Sequence, residues 1–217
     1  MFDLVFPVQG EALPADHAYP LFAVLSHLVP AFHDPAANTR FAPIAGPRFD
    51  RGLLRVTPRA TLRVRLPQER IGEVIGLAGK KLDVAGHAVR LGVPFVTVLE
   101  PAATLFARVV SIKVSVGPRG GRKVKGRPPE LEAFVASARR MLSERGIGGE
   151  LGVPVKADGP RAGEAVRRVV RIHGRAIVGY GVTVTGLTAA DSVRLQEEGL
   201  GGRLRIGCGF FLPVRGV

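Results

Sequence analysis

Between Gly199 and Pro213 the chain reads Gly-Leu-Gly-Gly-Arg-Leu-Arg-Ile-Gly-Cys-Gly-Phe-Phe-Leu-Pro. Around two arginines, five glycines fall within eleven residues. They favour a backbone that takes positive φ and lets a partner come close. Successive N–H groups in such a turn form a concavity suited to phosphate, and Arg203 and Arg205 add positive charge. A helix C-cap glycine followed by an ordinary turn gives a similar pattern, so the segment draws its meaning from the rest of the chain. On its far side it runs into an apolar stretch, Ile206 to Val214, that reads as a last strand.

The chain of 217 residues is long enough for one large domain or two of about 100 residues each. Its net charge of +13 is unevenly spread. Residues 1–100 hold 11 Lys and Arg against 9 Asp and Glu, whereas residues 101–217 hold 20 against 9. The second half is therefore the expected face for a polyanion, with nucleic acid the leading partner. No apolar run approaches the length of a membrane span, and no basic amphipathic helix stands out, so no membrane partner is expected. The N-terminal Met-Phe-Asp-Leu-Val-Phe lacks the basic region of a signal peptide, and a cytoplasmic protein is expected. A single cysteine, Cys208, excludes an internal disulfide and a multi-cysteine zinc site. No carboxylate cluster has metal-site spacing, and no cofactor is expected. Gly79-Lys80-Lys81 is not a P-loop, because the preceding glycine spacing and a following Ser or Thr are missing.

Phe2 to Val8 reads as a first strand. Ala15-Asp16 offers an N-cap for a helix from His17 to Val29, with Leu21, Val24, Leu25 and Leu28 at helical spacing. Ala31 to Asp50 reads as loop. Leu53 to Thr57 and Thr61 to Leu66 read as strands; in the second, Leu62, Val64 and Leu66 alternate with Thr61, Arg63 and Arg65, predicting one buried and one basic face. A short helix, Gln68 to Leu77, precedes a hairpin around Ala85-Gly86 and a strand, Val96 to Leu99. A second unit opens with Thr104 to Val116. After a basic, glycine-rich loop, Gly117 to Pro129, come an amphipathic helix ending at Gly146 and strands at Gly152–Val155, Val166–Ile172 and Ala176–Thr185. Thr188 and Asp191 resemble a capping box for a helix through Glu198. Each half can be written β-α-β-β-α-β. The expected fold is α+β with two tandem ferredoxin-like domains, residues 1–100 and 101–217, joined near Glu100-Pro101.

At this point the residues resemble a known family. Gly199-Leu200-Gly201-Gly202-Arg203, continuing into Ile206-Gly207-Cys208-Gly209-Phe210, is similar to the C-terminal glycine-rich loop of the RAMP superfamily. Within it the chain resembles CRISPR repeat-processing endoribonucleases, in particular a compact group found with myxobacterial-type systems. Asp16-His17-Ala18-Tyr19, Pro30-Ala31-Phe32-His33, Leu77-Ala78-Gly79-Lys80-Lys81 and the run from Leu187 to Gln196 are similar to that group too. The resemblance implies two ferredoxin-like domains, binding of CRISPR repeat RNA, and one metal-independent cut. In that cut the ribose 2′-hydroxyl attacks the adjacent phosphate, leaving a 2′,3′-cyclic phosphate and a 5′-hydroxyl.

Such a cut needs a base, an acid and positive charge on the phosphorane. Histidine suits the proton transfers because it titrates near neutrality. Of the five histidines, His33 stands first: it follows Pro30-Ala31-Phe32 after the first helix, where the resemblance implies a catalytic histidine. His17, at the helix entrance, is second. His27, His87 and His173 read as structural or solvated. The resemblance also implies a tyrosine in the first helix, here Tyr19, and a cation after the loop histidine, here Arg40 with Arg48 as rival. The expected RNA contacts are Gly199, Gly201, Gly202, Arg203, Arg205, Gly207 and Gly209, with Arg119, Arg122, Lys123 and Lys125 (beside Arg127) in the basic loop. Arg63 and Arg65 are candidates for a second contact face. With 6% aromatic residues and no Trp, extensive base stacking is not expected. Cys208 reads as a small buried residue rather than a thiol nucleophile. Two alternatives remain beside the endoribonuclease: a non-catalytic RNA-binding RAMP subunit of a CRISPR effector complex, and a general RNA-binding protein.

Overall fold

The structure, a computed structural model, describes residues 1–50, 52–113 and 130–214. Arg119, Arg122, Lys123, Lys125 and Arg127 lie outside the described residues. The chain divides into two compact units, Met1–Leu99 with Arg205–Gly207, and Glu100–Leu204 with Cys208–Val217.

The first unit contains β1 (Phe2–Gly10), β2 (Ala12–Pro14), α1 (Ala18–Leu28), β3 (Arg40–Ala42), β4 (Leu53–Arg55), β5 (Thr61–Leu66), α2 (Ile71–Ile75), β6 (Lys81–Val84), β7 (His87–Leu91) and β8 (Phe95–Val98). In its main sheet β3 pairs β5, β5 pairs β1, and β1 pairs β8, all antiparallel. That order, fourth-first-third-second, is the ferredoxin-like arrangement. The β6–β7 hairpin extends it by pairing the far end of β1. Its turn, Ala85-Gly86, has positive φ at both residues, as a two-residue hairpin turn requires. β2 and β4 form a small separate sheet. Leu4, Phe6, Leu62, Val64 and Leu66 from the main sheet close on Leu21, Phe22 and Leu25 of α1 to make the core.

In the second unit, β9 (Leu105–Val110), α3 (Leu131–Glu144), β10 (Glu150–Gly152), β11 (Arg167–Ile172), β12 (Arg175–Thr185), α4 (Ala189–Glu198) and β13 (Phe211–Pro213) repeat the plan. β13 pairs β9, β9 pairs β12, and both β10 and β11 pair β12. α3 buries Phe134, Ala138 and Leu142, one side chain per turn along one face. Phe134 meets Tyr180 of β12 at 4.7 Å between ring centroids. Thr188 caps α4 by accepting a hydrogen bond from the Asp191 backbone N–H at 3.1 Å.

Several local expectations are corrected. The N-cap of α1 is His17, not Asp16, and its side chain makes no capping bond. The stretch from Ala31 to Asp50 contains two short 3-10 turns and β3. The expected strand from Ile206 to Val214 shrinks to Phe211–Pro213, because Gly207 and Gly209 take positive φ and leave extended geometry. The largest correction concerns β5. Leu62, Val64 and Leu66 are buried as the alternation indicates, but the opposite face is not a basic solvent surface. Arg65 is 1% exposed. Asp3 of β1 lies directly across from it, and the two form a bidentate pair, Nε to Oδ1 at 2.8 Å and a terminal nitrogen to Oδ2 at 2.9 Å. Arg63 donates to the same carboxylate at 3.0 Å. Burying an arginine demands such a partner, which makes Arg65 part of the sheet rather than a contact face, while Arg63 stays 27% exposed beside the same carboxylate.

Candidate active site and nucleic-acid interface

Pro20 sits in the first turn of α1, where its missing N–H costs nothing. Val29 is extended before Pro30, as a residue preceding proline prefers, and stops the helix. The chain then makes a 3-10 turn, Pro30–Phe32, that buries Ala31 and Phe32 and leaves His33 exposed at its end. The Asp34 side chain accepts from the Ala36 N–H at 2.8 Å and caps the next turn.

The imidazole of His33 stands edge-on to Phe22, with centroids 5.4 Å apart. Phe22 in turn stacks against Tyr19 at 6.2 Å. Tyr19 is half-buried against the core and lies three residues before Phe22 on the helix, so both rings share one face. Phe22, which sequence reasoning did not single out, is thus the spacer between the two candidate groups. From the other end of the chain, Arg205 donates through its guanidinium to the His33 carbonyl oxygen. Ile206 packs on the core of this unit. A side chain at Gly207, whose φ is +78°, would meet the Pro43 ring at 2.6 Å. The structure therefore brings His33, Tyr19 and Arg205 into one neighbourhood within the first unit.

The other candidates lie elsewhere. His17 is fully buried, with Nδ1 2.7 Å from the Pro14 carbonyl oxygen. Arg40, 8% exposed, is in β3 opposite Arg65 and donates to the Asn38 side-chain oxygen. Arg48 is exposed and bridges to Leu54. His27 and His173 are exposed, and His173 forms a hairpin turn with Gly174 at positive φ.

In the second unit, Gly199 ends α4 with φ of +67°. Gly202 donates its N–H to the Ser111 carbonyl at 2.8 Å. The Arg203 guanidinium donates to Ser111 Oγ at 2.9 Å. Ser111, Gly201, Gly202 and Arg203 border a groove of about 540 Å³, whose other side is α3. Gly209 donates to the Val109 carbonyl at 2.7 Å and is buried. Cys208 is buried too; burial pushes its thiol up to about 11, with the charge of Arg203 pulling the other way. It holds its proton at neutral pH and is no nucleophile. Among the described residues no three His, Cys, Asp or Glu side chains gather as metal ligands, and no helix is long and apolar enough to cross a membrane.

Comparison with known proteins bears on the family and the fold. The family model described as Cas6 Crispr matches residues 2–216. A CRISPR-associated endonuclease Cas6 from Myxococcus xanthus (strain DK1622) is 38% identical over 211 residues, covering 97% of this chain and 80% of that protein. A solved structure described as an RAMP protein binding different RNA substrates superposes with a TM-score of 0.67 at 14% identity, over 99% of each chain. A CRISPR associated protein Cas6 gives 0.65 at 14% identity, over 99% of this chain and 98% of that one. These two structures bear on the fold alone. The family match runs nearly end to end and a relative shares more than a third of the residues, so the chain belongs to the Cas6 family.

Proposed function

We propose that this protein is the endoribonuclease that cuts CRISPR precursor RNA within its repeat. The observation that carries the reading is the meeting of His33 with Arg205, 172 residues apart in the chain, in a family whose Myxococcus xanthus member is named an endonuclease. An exposed histidine whose backbone carbonyl holds a guanidinium supplies a proton carrier and a cation, the two kinds of group that phosphodiester transesterification uses. The 2′-oxygen forms a bond to phosphorus as its proton leaves. The bond from phosphorus to the 5′-oxygen breaks, and that oxygen takes up a proton. His33 serves as base or acid in these transfers. Arg205 stabilises the charge that grows on the phosphorane oxygens. The Tyr19 hydroxyl orients the 2′-hydroxyl or donates to a phosphate oxygen. Arg40 and His17, both buried, serve the fold of the first unit rather than touching the phosphate. The glycine-rich segment and its arginines hold the RNA backbone.

The test is incubation with repeat RNA and with an unrelated hairpin RNA, both in EDTA. A single cut in the repeat alone, ending in a 2′,3′-cyclic phosphate and a 5′-hydroxyl, is the expected result. A cut that needs added metal and leaves a 5′-phosphate would contradict the chemistry. Tight repeat binding without any cut would favour a non-catalytic RNA-binding subunit of an effector complex.

A further inference from the structure

Gly201 and Gly202 are adjacent, but their local surroundings make opposite demands. Gly201 has φ of +84°, and a Cβ there would lie 2.6 Å from the Ser111 carbonyl oxygen. The fold itself excludes a side chain at that position. Gly202 has no left-handed φ, and a Cβ would meet only the Ser111 carbonyl oxygen, at an ordinary 3.7 Å. Nothing in the fold calls for glycine at 202, yet the residue borders the 540 Å³ groove. A glycine that packing does not demand, at the edge of a groove, keeps the backbone open to something that enters.

The groove's chemistry indicates what enters. Lys113, Arg140 and Arg203 bring three cations to it, and Ser111 and Ser137 bring hydroxyls. Among the described residues the lining holds no acid; Arg140 pairs with Glu144, one turn beyond it and 3.6 Å from its Nε, in a pair whose members are 72% and 64% exposed. So exposed a pair leaves the arginine available to a stronger anion. The volume falls in the range of sites for small ligands, and the floor is formed by Ile112 and Met141, both packed on the core. Lys113 and Arg140 belong to no motif; what joins them is that the chain beyond β9 and the middle of α3 border one groove.

We infer that this groove in the second unit is a subsite for the RNA backbone, in which Lys113 and Arg140 join Arg203 as phosphate contacts and Gly202 is the point of close approach. The inference rests on the RNA-binding reading above and adds the residues and the place. Its role is in binding the strand, because the groove lining includes no histidine and no other neutral-range acid or base.

Three variants of the full chain test it, each measured by fluorescence anisotropy with labelled repeat RNA across a series of KCl concentrations. Lys113→Ala/Arg140→Ala is expected to weaken Kd on the order of tenfold. It should also flatten the slope of log Kd against log salt by about 1.4, two single-strand phosphate contacts at about 0.7 each. Gly202→Val, which alters no charge, is expected to weaken Kd while Tm stays put. Arg139→Ala removes a charge from the same helix outside the groove and is expected to stay within about twofold of wild type. An unchanged slope in the double variant, or an equal loss in Arg139→Ala, would overturn the subsite. Wild-type protein that binds no repeat RNA would overturn the RNA reading itself, and the two failures are told apart because only the first leaves a wild-type slope to compare.

Discussion

Gly199–Arg203 and Arg205–Gly207 are separated by a single residue, yet they belong to different units of the fold. The first stretch is fastened to Ser111 and borders a groove lined with cations and hydroxyls. The second is held to the His33 carbonyl and lies against Pro43, in the unit that carries the exposed His33 and the half-buried Tyr19. One has charge without a proton carrier, and the other has both. The difference teaches that a glycine-rich motif need not be one site. On the proposed reading, substitution should separate binding from chemistry here.

Removing Asp3 gives the largest expected effect. The comparison treats the buried Arg65 as structural and not as part of a third set of RNA contacts. Asp3→Ala would leave Arg65 buried without its carboxylate and should cost about 3–5 kcal/mol of stability, read by chemical denaturation. A variant of undiminished stability and weakened RNA binding would break the two-site picture. Arg205→Ala is expected next, with a fall on the order of a hundredfold in the single-turnover rate at saturating RNA. If Kd rose instead while that rate held, Arg205 would belong with the groove. The glycines sharpen the contrast on a smaller scale. Gly207→Ala should cost about 1–3 kcal/mol, from its left-handed φ and the Pro43 ring. Gly202→Ala should stay within about 0.5 kcal/mol of wild type.

A further effect concerns Cys208. Its folded thiol is pushed up to about 11 from an ordinary 9.0, so folding favours the protonated form. This contribution to stability is complete below pH 9 and lost as pH rises through about 11. Alkylation by iodoacetamide in slightly alkaline buffer should be slower in the native protein than in denaturant by on the order of a hundredfold. Equal rates would mean that the segment opens readily.

Much of the fold was legible because its signals are local. The alternation in Thr61–Leu66, the Thr188 cap and the Ala85-Gly86 turn are written within a few residues. β3 was hidden because three residues in a proline- and glycine-rich stretch carry no period; its pairing with β5 makes it a strand. The burial of Arg65 was hidden because its partner, Asp3, lies 62 residues away. The same holds for the site. His33 and Tyr19 were visible as residue types at family-like places, and Arg205 as a cation in a glycine frame. Their meeting was not visible, because a 172-residue separation leaves no trace in spacing. Lys113 and Arg140 were missed altogether, since only tertiary packing puts both on one groove.

The central claim is that His33 carries the proton transfer while His17 holds the fold. Single-turnover cleavage of repeat RNA by His33→Ala and His17→Ala, each corrected for folded fraction, tests it most directly. His33→Ala should lose roughly a hundredfold to ten-thousandfold in rate and still bind the repeat. His17→Ala should lose thermal stability, since it removes the buried contact with Pro14, while its folded fraction still cuts. A folded His17→Ala that binds the repeat and does not cut, beside a His33→Ala that cuts at the wild-type rate, would contradict the account.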